Sequence, residues 1–363
     1  MTSNEEGEAG FEQAALGRPL ETGKGSRTPR RLGRFLRAAA WLYLVVILVA
    51  VALLQWAGDS LWPMTLFAFS PRWVSLLPAV PLTTGALVWY RRALWPLLLT
   101  TVCAVGPIMG FSVPWKSLIE RESHDGMRIR VVTINAGDLA GRAELMQFLR
   151  DVKADVIAFQ EFSRSNMSPK DVGPDWHFAS TGELLVASRY PIVDRAVSEI
   201  ARDRRNPPVL RCGIQTPAGL IHANCVHLYT LRKGLDAVRG RWWKGATELE
   251  RVIGIRNEES EIASQFCGAQ AVPTLVLGDF NMTDDSAAFR RDWSRWQDAF
   301  ASRGFGFGYT FNSRKIGLRI DHVLADPAHW SVVSCEVGPD FRGQHRPLIA
   351  ELLLRSNARP ASD

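Results

Sequence analysis

Two polar side chains directly follow a short apolar stretch near residue 275. Thr274 to Leu277 is rich in β-branched and aliphatic residues and ends at Gly278, after which Asp279 and Asn281 appear. Such a stretch is typical of a buried strand, and residues two apart on a strand lie on the same face. We therefore expect the carboxylate and the carboxamide to point the same way, an arrangement that can hold a water molecule beside a phosphoryl oxygen.

Polar residues recur at the ends of other predicted buried strands. In chain order the six sets are Asn135 in RVVTINAG, Gln160 and Glu161 in DVIAFQE, His227 in NCVHL, Asp279 and Asn281, Asp321 in LRIDHVL, and His345 in GQHRP. One acid at a strand end is unremarkable, but six converging sets are difficult to explain by structure alone. His322 alternates to the face opposite Asp321 and is interpreted as structural.

The motifs that carry these residues resemble those of a known superfamily. From about residue 128 to 355, TINAG, FQE, SRYPI, VHL, GDFN, RIDHVL and HRP occur in the order of the endonuclease/exonuclease/phosphatase superfamily, which is DNase I-like. GDFN followed by RIDHVL is the specific part of this pattern, whereas FQE or SRYP alone would be weak. The resemblance implies an α/β fold, a four-layer α/β/β/α sandwich with the active site at one edge of two packed sheets.

The resemblance implies a role for each acid and amide. Glu161 is similar to the principal Mg²⁺ (or Mn²⁺) ligand, with Asn135 beside it, and such cations prefer carboxylate and carbonyl oxygens. Asp279 is similar to the residue that orients and activates the attacking water. Asn281 is similar to the residue that holds this water and the phosphoryl oxygen. The implied activity is metal-assisted attack of water on phosphorus.

The histidines complete this implied site, and one position departs from the family pattern. His227 would donate to a non-bridging oxygen, and His345, oriented by Asp321, would bind the phosphate or serve as an acid. The family usually has an acid immediately before the last histidine, where this chain has Gln344. Gln344 keeps an oxygen ligand for the metal but not a negative charge. A catalytically silent binding or scaffold domain of the same fold is therefore the alternative to an enzyme.

The first third of the chain is unlike the rest. The 363 residues are 47% hydrophobic with a net charge of +6, and the apolar excess lies in this part. We predict a disordered basic cytoplasmic tail over 1–37, a transmembrane region over 38–115 with about three helices at 38–57, 73–90 and 93–113, a linker over 116–127, the catalytic domain over 128–355, and a tail over 356–363.

Residues 38–57 carry no charge and are long enough to cross the hydrocarbon core of a bilayer. A cleaved signal peptide is the alternative, although the apolar run is long for one and further apolar segments follow. The basic residues before this run, together with Arg91 and Arg92, predict a cytoplasmic N-terminus by the positive-inside rule. The expected protein is a multi-pass protein of the cell membrane with an extracytoplasmic catalytic domain.

Residues 229–245 follow His227 and interleave basic with aromatic side chains. This pattern suits a nucleic acid and equally an anionic membrane surface, and a solvated loop is the third interpretation. The substrate, nucleic acid or phospholipid, is therefore undecided, and no obligate protein partner is evident. The five cysteines show no metal-type spacing; free thiols are expected ahead of a bridge between Cys212 and Cys225.

Overall fold

A computed structural model describes residues 27–58, 60–115, 126–165, 167–201, 205–268, 271–313 and 316–355. Most of the predicted N-terminal tail, the C-terminal tail and residues 116–125 of the predicted linker therefore lie outside the described residues. Residues 27–37 of the predicted tail are helical and continuous with the apolar stretch that follows them.

The N-terminal helical region consists of α1 (Arg27–Ala57), α2 (Trp62–Ala68), α3 (Ala79–Trp89) and α4 (Leu94–Cys103), which continues into a wide helical turn at Ala104–Ile108. The helices share an apolar core that includes Ala40, Ile47, Ala86 and Leu97. Helix α1 contributes one face to this core and leaves the rest of its apolar surface exposed.

Only α1 among the described helices, over Arg31–Ala57, is long and apolar enough to cross a membrane. Helix α3 has 11 residues and spans about 16 Å, roughly half of the hydrocarbon thickness. The predicted spans 73–90 and 93–113 are therefore not continuous α-helices. The reason lies in the prolines, since Pro78 precedes α3 and Pro107 lies within the wide turn after α4, and proline removes a backbone donor and disrupts regular helix.

The remaining elements form an α/β domain. The strands are β1 (Gly126–Asn135), β2 (Val156–Gln160), β3 (His177–Thr181), β4 (Leu184–Ser188), β5 (Ile192–Val197), β6 (Val209–Thr216), β7 (Gly219–His227), β8 (Thr274–Asp279), β9 (Gln297–Asp298), β10 (Phe311–Ser313), β11 (Ile316–Leu318), β12 (Asp321–Ala325), β13 (Trp330–Val337) and β14 (Leu348–Arg355). The helices are α5 (Arg142–Asp151), α6 (Arg232–Arg241), α7 (Ala246–Gly268), α8 (Ala287–Trp293) and α9 (Ala299–Arg303).

Two six-stranded sheets pack against each other, in the orders β13-β14-β1-β2-β4-β3 and β5-β6-β7-β8-β12-β9. Alternation along β1 shows how the sequence builds the layers. Ile129 and Val131 enter the core between the sheets, whereas Val132 and Ile134 pack on the outer face with α5. Helices α7 and α8 cover the other sheet. The predicted four-layer α/β/β/α sandwich is confirmed.

The ends of the central strands meet at one edge of the sandwich. Strand β1 runs parallel to β2, with Asn135 opposite Gln160, and β7 runs parallel to β8, with His227 opposite Asp279. Strand β12 is antiparallel to β8 and places Asp321 opposite Asp279. All five cysteines are free, as expected.

The helical region contacts the α/β domain close to this edge. Arg72 forms a buried ion pair with Asp285, with 2.6 Å between Nη1 and Oδ2, and Asp285 lies in the loop after β8. Ser112 and Gly306 exchange backbone hydrogen bonds of 2.8 and 3.0 Å. The strand-end residues therefore lie near the surface that the helical region covers.

Candidate active site

Asp279 is the centre of the candidate site. Its side chain is almost fully buried; Oδ2 accepts a hydrogen bond from Asn135 Nδ2 at 3.0 Å, and Oδ1 accepts from the Asn281 backbone N–H at 2.9 Å. Gly278 before it has φ of 157°, and a Cβ there would lie 1.9 Å from the Val226 carbonyl oxygen. Glycine therefore lets β8 approach β7 closely enough to place the carboxylate.

Two histidines approach Asp279 from different strands. The Nε2 atoms of His227 and His345 lie 3.8 and 3.7 Å from Asp279 Oδ2. Each Nδ1 atom is held by another carboxylate: Glu183 Oε1 lies 2.7 Å from that of His227, and Asp321 Oδ2 lies 2.9 Å from that of His345. These carboxylates fix the ring orientations and direct both Nε2 atoms toward Asp279.

The charges in this cluster determine its protonation. Burial alone would lower the pKa of His345, but the Asp321 and Asp279 carboxylates outweigh it and raise this pKa to about 9. The pKa of His227 is also raised, since Glu183 and Asp279 outweigh burial. Burial, with Asp321 adding to it, raises the pKa of Asp279. Near neutral pH His345 can therefore present an N–H to a group bound beside Asp279, and the raised pKa of His227 favours the same form of its imidazole.

Glu161 lies at the solvent side of the site, immediately after β2. Its Oε1 atom is 3.3 Å from Asn135 Nδ2 and 3.9 Å from His227 Nε2. Its side chain is 21% exposed, against 2% for Asp279, so it is the carboxylate that an ion from solvent reaches more easily. The Glu161 backbone is left-handed, with φ of 51°, which is uncommon for a residue other than glycine and typical of functional positions.

Asn135 links the two carboxylates through its amide nitrogen. Its Oδ1 atom accepts a hydrogen bond of 3.0 Å from the Gly137 N–H and would lie 3.2 Å from a Cβ at that glycine. A Cβ at Gly137 would lie 2.5 Å from Glu161 Oε2, so the glycine provides the room in which Glu161 lies.

Asn281 is held by its backbone and its side chain. Its φ is 49°, a left-handed conformation that asparagine adopts more readily than most residues. Its Nδ2 donates to the Leu228 carbonyl at 2.9 Å, and its own carbonyl accepts from Arg256 Nη1 at 3.0 Å. Asn281 therefore lies beside Asp279, as the sequence predicts.

Two residues that position the site were not predicted. Glu183, which orients His227, directly precedes the buried strand β4, and an acid adjoining an apolar run was the available signal. Arg256, which supports Asn281, is fully buried within α7. A basic residue between apolar helix positions was the corresponding signal, but it does not reveal the partner.

Gln344, the third of the predicted metal ligands, contacts a basic side chain of α6. Its Oε1 atom accepts a hydrogen bond of 2.5 Å from Arg232 Nη2. The neutral carboxamide therefore satisfies a guanidinium on α6.

Two groups of side chains have donors suited to a divalent cation. Glu161 with Asn135 is one, and Asp279, Asp321 and His345, each with an atom within 4.8 Å of the others, is the second. In the second group Asp321 is fully buried and already bonded to His345. A hard cation that retains several waters fits the more open first group better.

The two packed sheets, with acids, amides and histidines at their shared edge, define a DNase I-like α/β protein. Residues 134–363 match the Endonuclease/Exonuclease/phosphatase family, and the chain belongs to that family. The superfamily consists of metal-dependent phosphoester hydrolases, among them nucleases and phosphatases. No curated protein matches the sequence.

Solved structures share the fold at low sequence identity. An endonuclease/exonuclease/phosphatase from Beutenbergia cavernae is 17% identical over 62% of this chain and 72% of its own, with a TM-score of 0.48. An AP endonuclease from Archaeoglobus fulgidus is 14% identical over 61% and 98%, with a TM-score of 0.46. A mannosyl-6-phosphatase from Bacteroides thetaiotaomicron is 14% identical over 62% and 100%, with a TM-score of 0.45.

Proposed function

We propose that the chain is a membrane-anchored, divalent-metal-dependent phosphoester hydrolase in which water attacks phosphorus. The observation that carries this proposal is the pair of oriented imidazoles, His227 and His345, whose Nε2 atoms lie 3.8 and 3.7 Å from Asp279. Hydrogen-bond donors on two sides of a buried base suit a phosphoryl group with a water beside it.

Glu161, together with Asn135, would hold Mg²⁺ or Mn²⁺. When bound, the cation would polarise the phosphoryl oxygen and neutralise part of its charge. The partly exposed carboxylate of Glu161 supports this assignment, because an ion must enter from solvent.

The chain's own groups would perform the proton transfers. Asp279 would accept a proton from the attacking water; its raised pKa brings it nearer to the operating pH and makes it a stronger base. Asn281 would hold the water in line. The N–H groups of His227 and His345 would stabilise charge that develops on the phosphoryl oxygens, and His345 would donate a proton to the leaving oxygen.

Membrane attachment is supported by the apolar surface of the helical region. Large apolar side chains exposed on α1, α3 and α4 include Phe35, Trp41, Leu42, Val45, Val46, Leu48, Val49, Leu53, Trp56, Val80, Leu87, Val88, Trp89, Trp95, Leu98, Leu99 and Val102. Soluble monomers rarely expose apolar patches of this extent. We therefore infer that α1 spans the bilayer and that the shorter helices lie in it beside α1.

The cytoplasmic N-terminus and the extracytoplasmic catalytic domain remain part of the proposal. A cleaved signal sequence is less consistent with the packing, since Ala40, Tyr43 and Ile47 of α1 contribute to the core shared with α3 and α4. Cleavage would remove that side of the core. A reporter that is active only in the cytoplasm can be fused after Leu354. Activity of this reporter in cells would contradict the proposed orientation.

The enzyme proposal is tested on the full-length protein in lipid nanodiscs. Bis-p-nitrophenyl phosphate, plasmid DNA and a phospholipid panel are the substrates, each with and without EDTA. We expect EDTA-sensitive turnover that Glu161→Ala abolishes and that Glu258→Ala, at an exposed acid on α7, leaves intact. Absence of EDTA-sensitive turnover on every substrate would favour the alternative of a silent binding or scaffold domain.

A further inference from the structure

A cavity of about 240 Å³ lies beside the candidate active site. Its lining comes from Phe69 after α2, from residues at α6 that include Leu231 and Leu235, from strands β10 and β11 with Ile320, and from Asn281 and Gln344. Because five of the side chains around it are aliphatic, namely Leu231, Leu235, Ile316, Leu318 and Ile320, the cavity favours an apolar ligand segment.

The cavity adjoins the catalytic groups. Asn281, two residues from Asp279, lines it. Phe311 also lines it, and the Phe311 ring centroid is 5.1 Å from that of the His345 imidazole. A ligand with its phosphate beside Asp279 and His345 can therefore extend directly into the cavity.

Cationic side chains lie at the same cavity. Arg232 and Arg239 of α6 both contribute to its lining, as does Asp236, whose Oδ1 lies 3.5 Å from Arg239 Nη1. Arg232 is bonded to Gln344, the residue before His345, and is the cation that an anionic ligand can use. Positive charge beside an aliphatic wall suits a molecule that joins a phosphate to an alkyl chain. The lining also contains two rings, Phe69 and Phe311, on which a nucleic acid base could stack, and the test below therefore compares an alkyl chain with a nucleic acid.

The helical region completes this cavity. Trp62, Leu66 and Phe69 pack on the apolar cluster formed by α6 and α7, which includes Leu231 and Leu235. The cavity wall is therefore shared between the catalytic domain and the region whose outer surface is apolar. A lipid that moved out of the bilayer along the helical region would therefore bring its alkyl chain to this cavity.

We propose that this cavity is a subsite for the alkyl chain of a lipid phosphoester, with the phosphate at Asp279 and His345. The inference rests on the proposed function and names its substrate class. At about 240 Å³ the cavity is smaller than the roughly 300 Å³ at the lower end of small-molecule pockets, so it holds a segment of the chain and not a whole lipid.

The test uses the full-length protein in nanodiscs with methyl, butyl and octyl diesters of 4-nitrophenyl phosphate. We expect kcat/KM to rise at least about tenfold from the methyl to the octyl ester, since each buried methylene contributes roughly fourfold. Ile316→Trp, which fills the cavity, should remove this rise and leave the methyl ester within about twofold of wild type. Phe69→Asp, which introduces a charge into the part of the cavity lining that the helical region contributes, should also reduce this rise.

Val193→Trp is the matched control, because Val193 is exposed on β5 and outside the cavity lining; it should keep the full rise. An equal rise in the Ile316→Trp protein would assign the effect to partition into the nanodisc and overturn the subsite. A methyl ester hydrolysed as fast as the octyl ester would overturn the subsite alone. No hydrolysis of any ester would overturn the proposed function with it. Plasmid cleavage that Ile316→Trp reduces as strongly as octyl ester cleavage would assign the cavity to nucleic acid instead.

Discussion

Asp321 and His322 are neighbours in β12, yet they belong to two different polar clusters. Asp321 is bonded to His345 in the candidate active site. His322 points to the opposite face, where its Nδ1 lies 3.0 Å from Asp298 Oδ2 and 3.1 Å from Arg319 Nη1. Both side chains are fully buried. Burial and residue type therefore do not distinguish the two clusters.

Charge balance does distinguish them. Burial alone would raise the pKa of Asp298, but the Arg319 guanidinium and His322 hold it well below its usual range. In the other cluster, burial raises the pKa of Asp279, and Asp321 raises it further. The negative charge of Asp298 is thus compensated by neighbouring positive charge, whereas the negative charge of Asp279 is retained at a free-energy cost. Retained cost of this kind is typical of a functional site.

The largest expected effect is on the activity of Asp279→Asn. We expect kcat for bis-p-nitrophenyl phosphate to fall by about 10²–10⁴, the usual contribution of a positioned proton acceptor. The melting temperature should stay the same or rise, because a carboxylate whose pKa is raised by folding opposes folding when it is ionised. Asp175→Asn, at an exposed acid, is the control. Activity within tenfold of wild type would remove Asp279 from the chemistry.

Arg319→Met should produce the opposite result in the second cluster. Arg319 is 7% exposed and paired with Asp298 at 2.6 Å, and it also contacts Asp284. Its loss leaves the buried Asp298 carboxylate without its guanidinium partner, although His322 remains beside it, and we expect the free energy of unfolding to fall by about 3–5 kcal/mol. The kcat measured well below the melting temperature should be unchanged.

Arg251→Met removes a surface pair with Glu248 and is the matched control, which should leave the free energy of unfolding nearly unchanged. If Arg319→Met lowered kcat without lowering the free energy of unfolding, the cluster around Asp298 would be part of the catalytic machinery. The two clusters would then not differ in function.

The pH dependence of stability gives a smaller effect. Because folding lowers the pKa of Asp298 below its unfolded value of about 3.9, Asp298 stabilises the protein above that pH and loses this contribution as the pH falls through the folded pKa. The stability advantage of wild type over Asp298→Asn should therefore shrink from pH 4 downward, by about 1.4 kcal/mol for each pH unit. Denaturant unfolding followed by tryptophan fluorescence measures it, and a constant difference would contradict the assignment.

The sequence predicts the strand-end residues well because the local pattern determines both the strand and its end. Asp279 and Asp321 each adjoin an apolar run whose period fixes the direction of the side chain. Asn281 lies beyond the end of β8 in a left-handed conformation, so the strand period does not determine its direction. Glu183 could not be paired with His227 in this way, because Glu183 precedes β4 of one sheet and His227 ends β7 of the other. Contacts between sheets depend on packing that a single sequence does not encode locally.

The membrane prediction shows the same limit. Hydropathy predicts three apolar segments, and all three occur in the helical region. Hydropathy does not predict that, among the helices the structure describes, α1 alone is continuous over a full span, since that depends on where prolines such as Pro78 interrupt the backbone. It also gave no indication that Phe69 would line a cavity beside the active site.

The smallest expected effect concerns position 344, which is either a metal ligand or part of the cavity lining. The family pattern implies that an acid here would strengthen metal binding, whereas the contact with Arg232 places Gln344 at the cavity. We expect Gln344→Asp to change the Mg²⁺ concentration for half-maximal activity by less than about twofold, because the new carboxylate would pair with the Arg232 guanidinium, and such exposed pairs contribute little.

The control for position 344 removes the competing cation, through Gln344→Asp combined with Arg232→Ala. If the position faces the cavity, the double variant should also keep the wild-type Mg²⁺ dependence. Tenfold tighter Mg²⁺ activation in the double variant alone would show that Arg232 holds a potential ligand away from the metal. The same tightening in Gln344→Asp alone would show that the residue at position 344 binds the metal together with Glu161 and Asn135.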